Sequence, residues 1–491
     1  MVSLKKRLMR RFQLALLAKA TPDKLLEISK RRLLKAFLTA TKSEAYATLL
    51  RENTIEWQNV READDVLRLA PLLNKHNTFV RFSLAQLAMP GTLDNLAGVL
   101  TSSGATGRLS YGLSTWAASR AAAEDIDLGL QEAFDIDRLK TLVINCLPMG
   151  VRFSSNTVCV AETSVREDMA LAIARDVGRY FDQIIIIGDP LFLKCMVDLA
   201  REQSVSWLNY RISVIIGEEP FGENYRSYLG RQLSIAQDNA TAGWIGSSFG
   251  IAELGLNILF ETRQTVMVRR LLHLNPLFCD ALFGPDSHQV STATIFQYNP
   301  LRTFIEIHSP DYRGFGELTV SMIEHGRAIP LIRYLTGDIG CIVNRDNIRE
   351  ALGQLGLSMP ALSPLPIIAL LGRKKSAFTA DTSVVQFQDA IYKDNNVADA
   401  VTGAFRIVPE KDQITLHIQL RKNQTQPAAS LVSNALPPKL RVRTIIKFWA
   451  YLSFPYGLTL DYERKFTYLD PNSLISNDWA TPASGAMKNS G

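Results

Sequence analysis

The sequence predicts an α/β protein with two parts. One is a large N-terminal domain of mostly parallel sheet(s) flanked by helices, with a smaller mixed sheet. The other is a small α+β C-terminal domain. Three observations predict this. The chain has 491 residues, more than one compact core usually holds, so two or three domains are expected. Between residues 183 and 234 apolar strands alternate with amphipathic helices, which is the pattern of βαβ units. A proline-rich stretch, "MPALSPLPIIALLGRKKS" (359–376), then separates this body from a final segment of different composition.

Residues 1–98 read as helical and charged. "PDKLLEISKRRLLKAFLTA" and "EADDVLRLAPLL" place apolar residues three and four apart, on one helical face. The N-terminal "MVSLKKRLMRRF" is basic but lacks the apolar core and cleavage site of a signal peptide. Its basic face suits anionic lipid, although a plain exposed helix is the simpler reading. No run of 18 apolar residues occurs, so no membrane span and a cytoplasmic protein are expected.

"KTLVINCL" (140–147) is a β-branched apolar run. "REDMALAIARDVGRYF" (166–181) is helical. "QIIIIGD" (183–189) is a strand buried on both faces, followed by the helix "LFLKCMVDLAREQ". "RISVIIGEEP" (211–220) is a second buried strand, followed by the helix "ENYRSYLGRQLS". After Gly255, "TRQTVMVRRLLHL", "ATIFQY", "RTFIEIH" and "GELTVSMIE" alternate apolar and polar residues, which predicts shorter, partly antiparallel strands. In the last part "FRIVPEKDQITLHIQLRK" reads as a hairpin and "LPPKLRVRTIIKFWAYL" as a helix. The domain boundaries predicted are 1–372 and 373–491.

Hydrophobic residues make up 47% and charged residues 21%, which describes a folded chain. A net charge of +6 suits an anionic ligand without arguing for nucleic acid. The cysteines, Cys146, Cys159, Cys195, Cys279 and Cys341, form no CxxC pair and read as free, buried thiols of a reducing compartment. His273 and Cys279 are the nearest His/Cys approach, too little for zinc.

Six short stretches stand out: "TSSGATGRLSYG" (101–112), "GEEP" (217–220), "SSFGIAELG" (247–255), "IRYLTGDIG" (332–340), "LLGRKK" (370–375) and "LDYERKFTYLD" (460–470). Taken in this order they resemble the core motifs of the acyl-adenylate-forming enzymes, the AMP-binding superfamily, and most closely its phenylacetate–CoA ligase branch. The resemblance runs from about Thr101 to Asp470. The short region before Thr101 also looks like that branch.

The resemblance implies a role for each stretch. Thr101, Ser102, Ser103, Gly104, Ala105, Thr106 and Gly107 would form the loop that grips the ATP phosphates, hydroxyls and bare backbone N–H groups being good anion donors. Ser110 stands where many members carry lysine, which leaves Arg108 to supply charge. Gly217, Glu218, Glu219 and Pro220 would border adenine at the carboxyl end of a strand. Phe249 and Gly250 belong to the aromatic-Gly-x-x-Glu motif, with Phe249 against the adenine face and Glu253 as the Mg²⁺ ligand. Asp338 would accept the ribose hydroxyls, with Leu335 in place of the family's arginine. Arg373 would reach the nucleotide and Lys375 would be the hinge, a position usually held by aspartate. Lys465 would be the catalytic lysine. By position, Trp116, Met149 and Gly150 are candidates for the acid pocket, with packed core as the alternative for each.

These residues imply ATP-dependent activation of a small aryl or fatty carboxylic acid, with pyrophosphate release. Transfer to a thiol follows, either CoA or the phosphopantetheine of an acyl carrier protein. "TADTS" (379–383) replaces the family's usual Arg-Gly pair, which weakens the case for CoA more than the case for adenylation. Two alternatives remain. One is an acyl-protein synthetase working through a cysteine such as Cys279 or Cys341. The other is a degenerate, non-catalytic nucleotide-binding partner protein.

Overall fold

A computed structural model of the chain describes residues 4–101, 109–148, 151–236, 239, 241–285, 287–359, 362–373, 377–379, 382–410, 412–456 and 466–470. They form two compact units. The first holds the described residues of 1–220 and 229–372, and the second those of 221–228 and 373–470.

The first unit opens with helices α1 (Leu4–Lys19), α2 (Pro22–Ala40), α3 (Glu44–Glu52), α4 (Ala63–Leu69) and α5 (Leu84–Leu87). Helix α2 starts where the Thr21 hydroxyl accepts from the Lys24 amide at 3.3 Å and Pro22 fills the first turn. It buries Leu25, Leu33, Phe37 and Ala40 along one face. "EADDVLRLAPLL" is helical only over Ala63–Leu69, because Pro71 follows at once. The helical region ends at β1 (Leu96–Thr101), which pairs antiparallel with β2 (Tyr111–Thr115). Helix α6 (Trp116–Phe134) comes next.

The βαβ region then runs β3 (Thr141–Asn145), β4 (Cys159–Glu162), α7 (Glu167–Asp176), β5 (Gln183–Gly188), α8 (Pro190–Glu202), β6 (Ile212–Ile216), α9 (Glu223–Gln232) and β7 (Ile245–Ile251). The antiparallel region runs β8 (Gly255–Phe260), α10 (Arg263–Leu274), α11 (Pro276–Phe283), β9 (Thr294–Gln297), β10 (Thr303–His308), β11 (Gly316–Met322), β12 (Tyr334–Val343), α12 (Arg345–Gln354) and β13 (Ile367–Arg373). All these strands join one eleven-stranded sheet, ordered β10-β11-β12-β13-β9-β8-β7-β6-β5-β3-β4. The β3–β7 stretch is parallel, and β5 is buried along its whole length.

One expected strand is a helix. "TRQTVMVRRLLHL" forms α10, started by a Thr262–Thr265 capping box. Its buried residues Thr265, Val268, Arg269 and Leu272 recur three and four apart. The β-branched Thr and Val residues imitated a strand, but the helical repeat and the cap outweigh that preference.

The second unit contains β14 (Ala377–Thr379) and β15 (Thr382–Ser383), α13 (Val384–Lys393), α14 (Asn395–Ala400), β16 (Val401–Pro409), β17 (Ile414–Leu420), α15 (Ala429–Ala435), α16 (Pro438–Arg441) and β18 (Thr444–Trp449). Strands β16 and β17 are an antiparallel pair. "LPPKLRVRTIIKFWAYL" is a helix only over Pro438–Arg441, and the rest is β18, parallel to β17. Thr444, Ile445, Ile446, Phe448 and Trp449 are β-branched or aromatic, which suits a pleated surface. The Trp449 indole N–H donates to His417 Nδ1 at 2.9 Å and ties the two strands together. Phe221–Tyr228 also belongs to this unit. Asp389 Oδ1 accepts from the Asn224 amide at 2.8 Å, and Tyr225 meets Tyr392 edge to face at 4.8 Å.

Helix α1 is held by one buried cation. Arg10, 6% exposed, pairs with Asp137 and reaches Asp127 at 3.4 Å and Thr157 Oγ1 at 2.6 Å. Removing it would strand two buried carboxylates, so Arg10→Ala should cost about 3 kcal/mol. A lower urea midpoint, with faster tryptic cleavage inside residues 4–19, is the expected result.

Candidate functional site

Glu253 sits in the turn between β7 and β8, at the carboxyl end of the strand that joins the parallel and antiparallel regions. Two hydroxyls hold its carboxylate. Tyr334 Oη donates to Oε1 at 2.7 Å, and Ser110 Oγ donates to Oε2 at 3.0 Å. Hydrogen bonds to an ionised acceptor are the stronger kind. Each carboxylate oxygen keeps a lone pair that these donors do not use. Three of the sequence stretches therefore meet at one side chain: Ser110 of "TSSGATGRLS", Glu253 of "FGIAE" and Tyr334 of "YLTGD".

Backbone geometry fixes the meeting. A Cβ on Gly112 would lie 1.8 Å from the carbonyl oxygen of Ala252, so only glycine lets the β1–β2 hairpin rest on the turn that carries Glu253. On the other side, Arg333 takes a left-handed φ of 56°. Its guanidinium grips Glu306 with two bonds of 3.1 Å and the Ala70 carbonyl at 2.7 Å. Backbone bonds also flank Tyr334: Leu73 N donates to Arg333 O at 2.9 Å, and Leu335 N to Leu73 O at 2.8 Å.

Asp338 lies on the same strand, β12, and is 2% exposed. Gly337 takes a φ of +79°, and the Asp338 amide donates to Thr336 Oγ1 at 3.1 Å. The stretch is strand with a local kink, not a free turn. Phe249 and Gly250 are on β7, half-buried and exposed respectively. Thr101 is exposed at the end of β1.

"GEEP" follows β6, with the Gly217 amide donating to Gly188 O at 3.1 Å. Beside it Asp189 caps α8, accepting from Leu191 N at 2.9 Å and Phe192 N at 3.0 Å. Burial pushes Asp189 up to about 6, and the charges of Glu219 and Glu218 add to the shift. The carboxyl end of β6 thus gathers three carboxylates, which disfavours an anion there.

Trp116 is 56% exposed as the first residue of α6, so packed core is wrong for it. Arg373 ends β13 and is exposed. Ser102, Ser103, Gly104, Ala105, Thr106, Gly107, Arg108, Met149, Gly150, Lys375 and Lys465 lie outside the described residues. Sequence reasoning missed Tyr334 and Gly112. Tyr334 stood inside a quoted motif but had no assigned role, and the need for Gly112 shows only when the second backbone is present.

The expectation of uniformly buried cysteines needs correction. Cys146, Cys279 and Cys341 are buried, Cys195 is half-buried and Cys159 is exposed, because β4 is the outermost strand at that end of the sheet. Burial pushes the Cys146 and Cys279 thiols up to about 12 and Cys341 to about 11. Thiols so far from ionisation are poor acyl acceptors.

Two results should follow. At pH 8 iodoacetamide should modify Cys159 quickly, while Cys146, Cys279 and Cys341 react only after denaturation; peptide mass mapping reads this directly. Gly112→Ala should cost about 3 kcal/mol or more, the upper end for forcing an atom into a packed contact, because the atom it meets is backbone, measured by urea unfolding.

The sequence matches no family model and no curated protein. Solved structures do match. 2-Hydroxyisobutyryl-CoA ligase in the postadenylation state with R3-HIB-AMP aligns over 92% of this chain and 90% of that one, at 13% identity and a TM-score of 0.63. The same ligase with 2-HIB-AMP gives 91% and 89%, 14% identity and a TM-score of 0.62. Its open conformation with 2-HIB-AMP and CoA gives 91% and 91%, 14% identity and a TM-score of 0.53. The chain thus has the fold of the adenylate-forming CoA ligases.

Proposed function

We propose that the chain is an AMP-forming acid–thiol ligase. The observation that carries this reading is the Ser110–Glu253–Tyr334 junction, where three stretches far apart in sequence are drawn to one carboxylate. In the first step a carboxylate oxygen of the substrate bonds to the α-phosphorus of ATP and the bond to pyrophosphate breaks. In the second a thiolate attacks the acyl carbon and AMP leaves. The acid is a small aryl or fatty acid, as in the phenylacetate–CoA ligase branch. The acceptor is CoA or a carrier protein's phosphopantetheine. Such an enzyme would draw on cytoplasmic ATP.

The residues fit magnesium. Mg²⁺ is usually held by one or two carboxylates, with waters and phosphate oxygens filling the other positions. Glu253 offers one carboxylate with lone pairs to spare, and among the described residues no group of three His, Cys, Asp or Glu gathers as a protein-only site would need. Glu253 would hold the ion, which would neutralise phosphate charge. Ser110 and Tyr334 orient that carboxylate. Thr101–Gly107 would bind the phosphates, Gly217–Pro220 with Phe249 and Gly250 the adenine, and Asp338 the ribose. Arg373 would reach the nucleotide. Trp116, Met149 and Gly150 remain candidates for the acid pocket. Lys465 would bridge the substrate carboxylate and the α-phosphate and stabilise charge on the pentacoordinate transition state, and the part of the chain after Lys375 would turn between the two steps.

ATP–pyrophosphate exchange over a panel of aryl and fatty acids tests this. At least one acid should support exchange. Glu253→Gln should suppress it, and Asp338→Ala should raise the KM for ATP. Lys465→Ala should slow adenylation about 100-fold and affect thiol transfer from a preformed adenylate much less. No exchange with any acid, or a wild-type rate in Glu253→Gln, would sink the proposal.

A further inference from the structure

Helix α1 has two opposite faces. Arg7, Arg10, Leu14 and Leu17 recur at the helical repeat and form its more buried side, with Arg10 locked to Asp127 and Asp137. The other side carries Leu4, Leu8, Phe12 and Leu16, spaced four apart, at 72%, 58%, 61% and 53% exposure. Met9 beside them is 52% exposed. A continuous row of large apolar side chains in water is a mark of an interaction surface, because each costs free energy where it stands.

The charge on the same helix identifies the partner. Lys5, Lys6, Arg7, Arg10, Arg11 and Lys19 are basic, and no residue of Leu4–Lys19 is acidic. Arg10 is neutralised by its two aspartates. Lys5, Lys6, Arg11 and Lys19 are exposed. Lys6 and Arg11 flank the apolar row and Lys5 and Lys19 stand at its two ends, a basic border that complements the acyl boundary and phosphates of an anionic bilayer. Stacking α1 on a second copy would set basic rim against basic rim. Sixteen residues are too few to cross a bilayer, and Arg10 ties the helix along the body.

We propose that α1 docks the chain flat on an anionic lipid surface, with Leu4, Leu8, Phe12 and Leu16 in the acyl boundary and the lysines at the lipid phosphates. The inference does not depend on the ligase reading.

Co-sedimentation of the full chain with phosphatidylcholine vesicles, with and without phosphatidylglycerol, tests it. Binding should be at least about tenfold tighter with phosphatidylglycerol and should fall in about 0.5 M NaCl. Phe12→Glu should weaken it about tenfold or more. The Leu8→Ser/Leu16→Ser double variant should do the same with unchanged circular dichroism, since these side chains contribute nothing to the core. The proposal is overturned if the chain ignores phosphatidylglycerol vesicles, binds neutral ones equally well, or keeps its binding in Phe12→Glu. It also fails if the chain forms dimers that Phe12→Glu dissociates while no vesicle binding occurs.

Discussion

Strand β7 bonds in two directions, and the rest of the large unit depends on that. Its first residues pair parallel with β6, through Val214 with Ile245 and Ile216 with Ser247. Its later residues pair antiparallel with β8, through Ser248 with Phe260 and Phe249 with Leu259. One short strand thus joins a βαβ sheet to an antiparallel one. The turn that ends it carries Glu253, so the candidate site lies where the two kinds of pairing meet. Open α/β sheets gather ligands at the carboxyl ends of strands, where loops diverge and backbone groups are free to bind.

The other elements brace that turn. The β1–β2 hairpin approaches closely enough that Gly112 is required, which brings Ser110 to one carboxylate oxygen. Strand β12 approaches from the opposite side with Tyr334, held by the Arg333–Glu306 pair and the Leu73 backbone. A carboxylate held by two hydroxyls is pre-aimed, which suits ligation of a cation. The serine found where the resemblance expects lysine therefore still contributes, by orienting Glu253 instead of bringing charge. The shifted Asp189 and its glutamate neighbours mark the other edge of the region, where a phosphate would be repelled.

Much of this was legible in the sequence. The runs "QIIIIG" and "ISVII" are short, β-branched and bounded by turn signals, which marks strands buried on both faces, and the helix between them repeats at three and four residues. The six stretches, taken in order, resemble a known family's motifs, and that resemblance is what singled out Glu253 and Asp338. Short segments with mixed preference were not legible. Residues 263–274 and 444–449 both combine β-branched and basic residues, and their states were exchanged. A cap at Thr262 made the first a helix, and a free edge on β17 made the second a strand.

The sequence by itself determined the α/β class and the alternation of elements, because hydrophobic period and turn chemistry are local properties; it marked the motif residues only through their resemblance to a known family. Only the tertiary structure decided what those residues touch. Ser110 and Glu253 are 143 positions apart, and Glu253 and Tyr334 are 81 apart. Hydrogen bonds over such separations depend on sheet order and strand register, which no local pattern encodes. The same holds for α1. Its composition was plain from the start, but which face it turns outward was decided by Asp127 and Asp137, more than a hundred residues further along the chain.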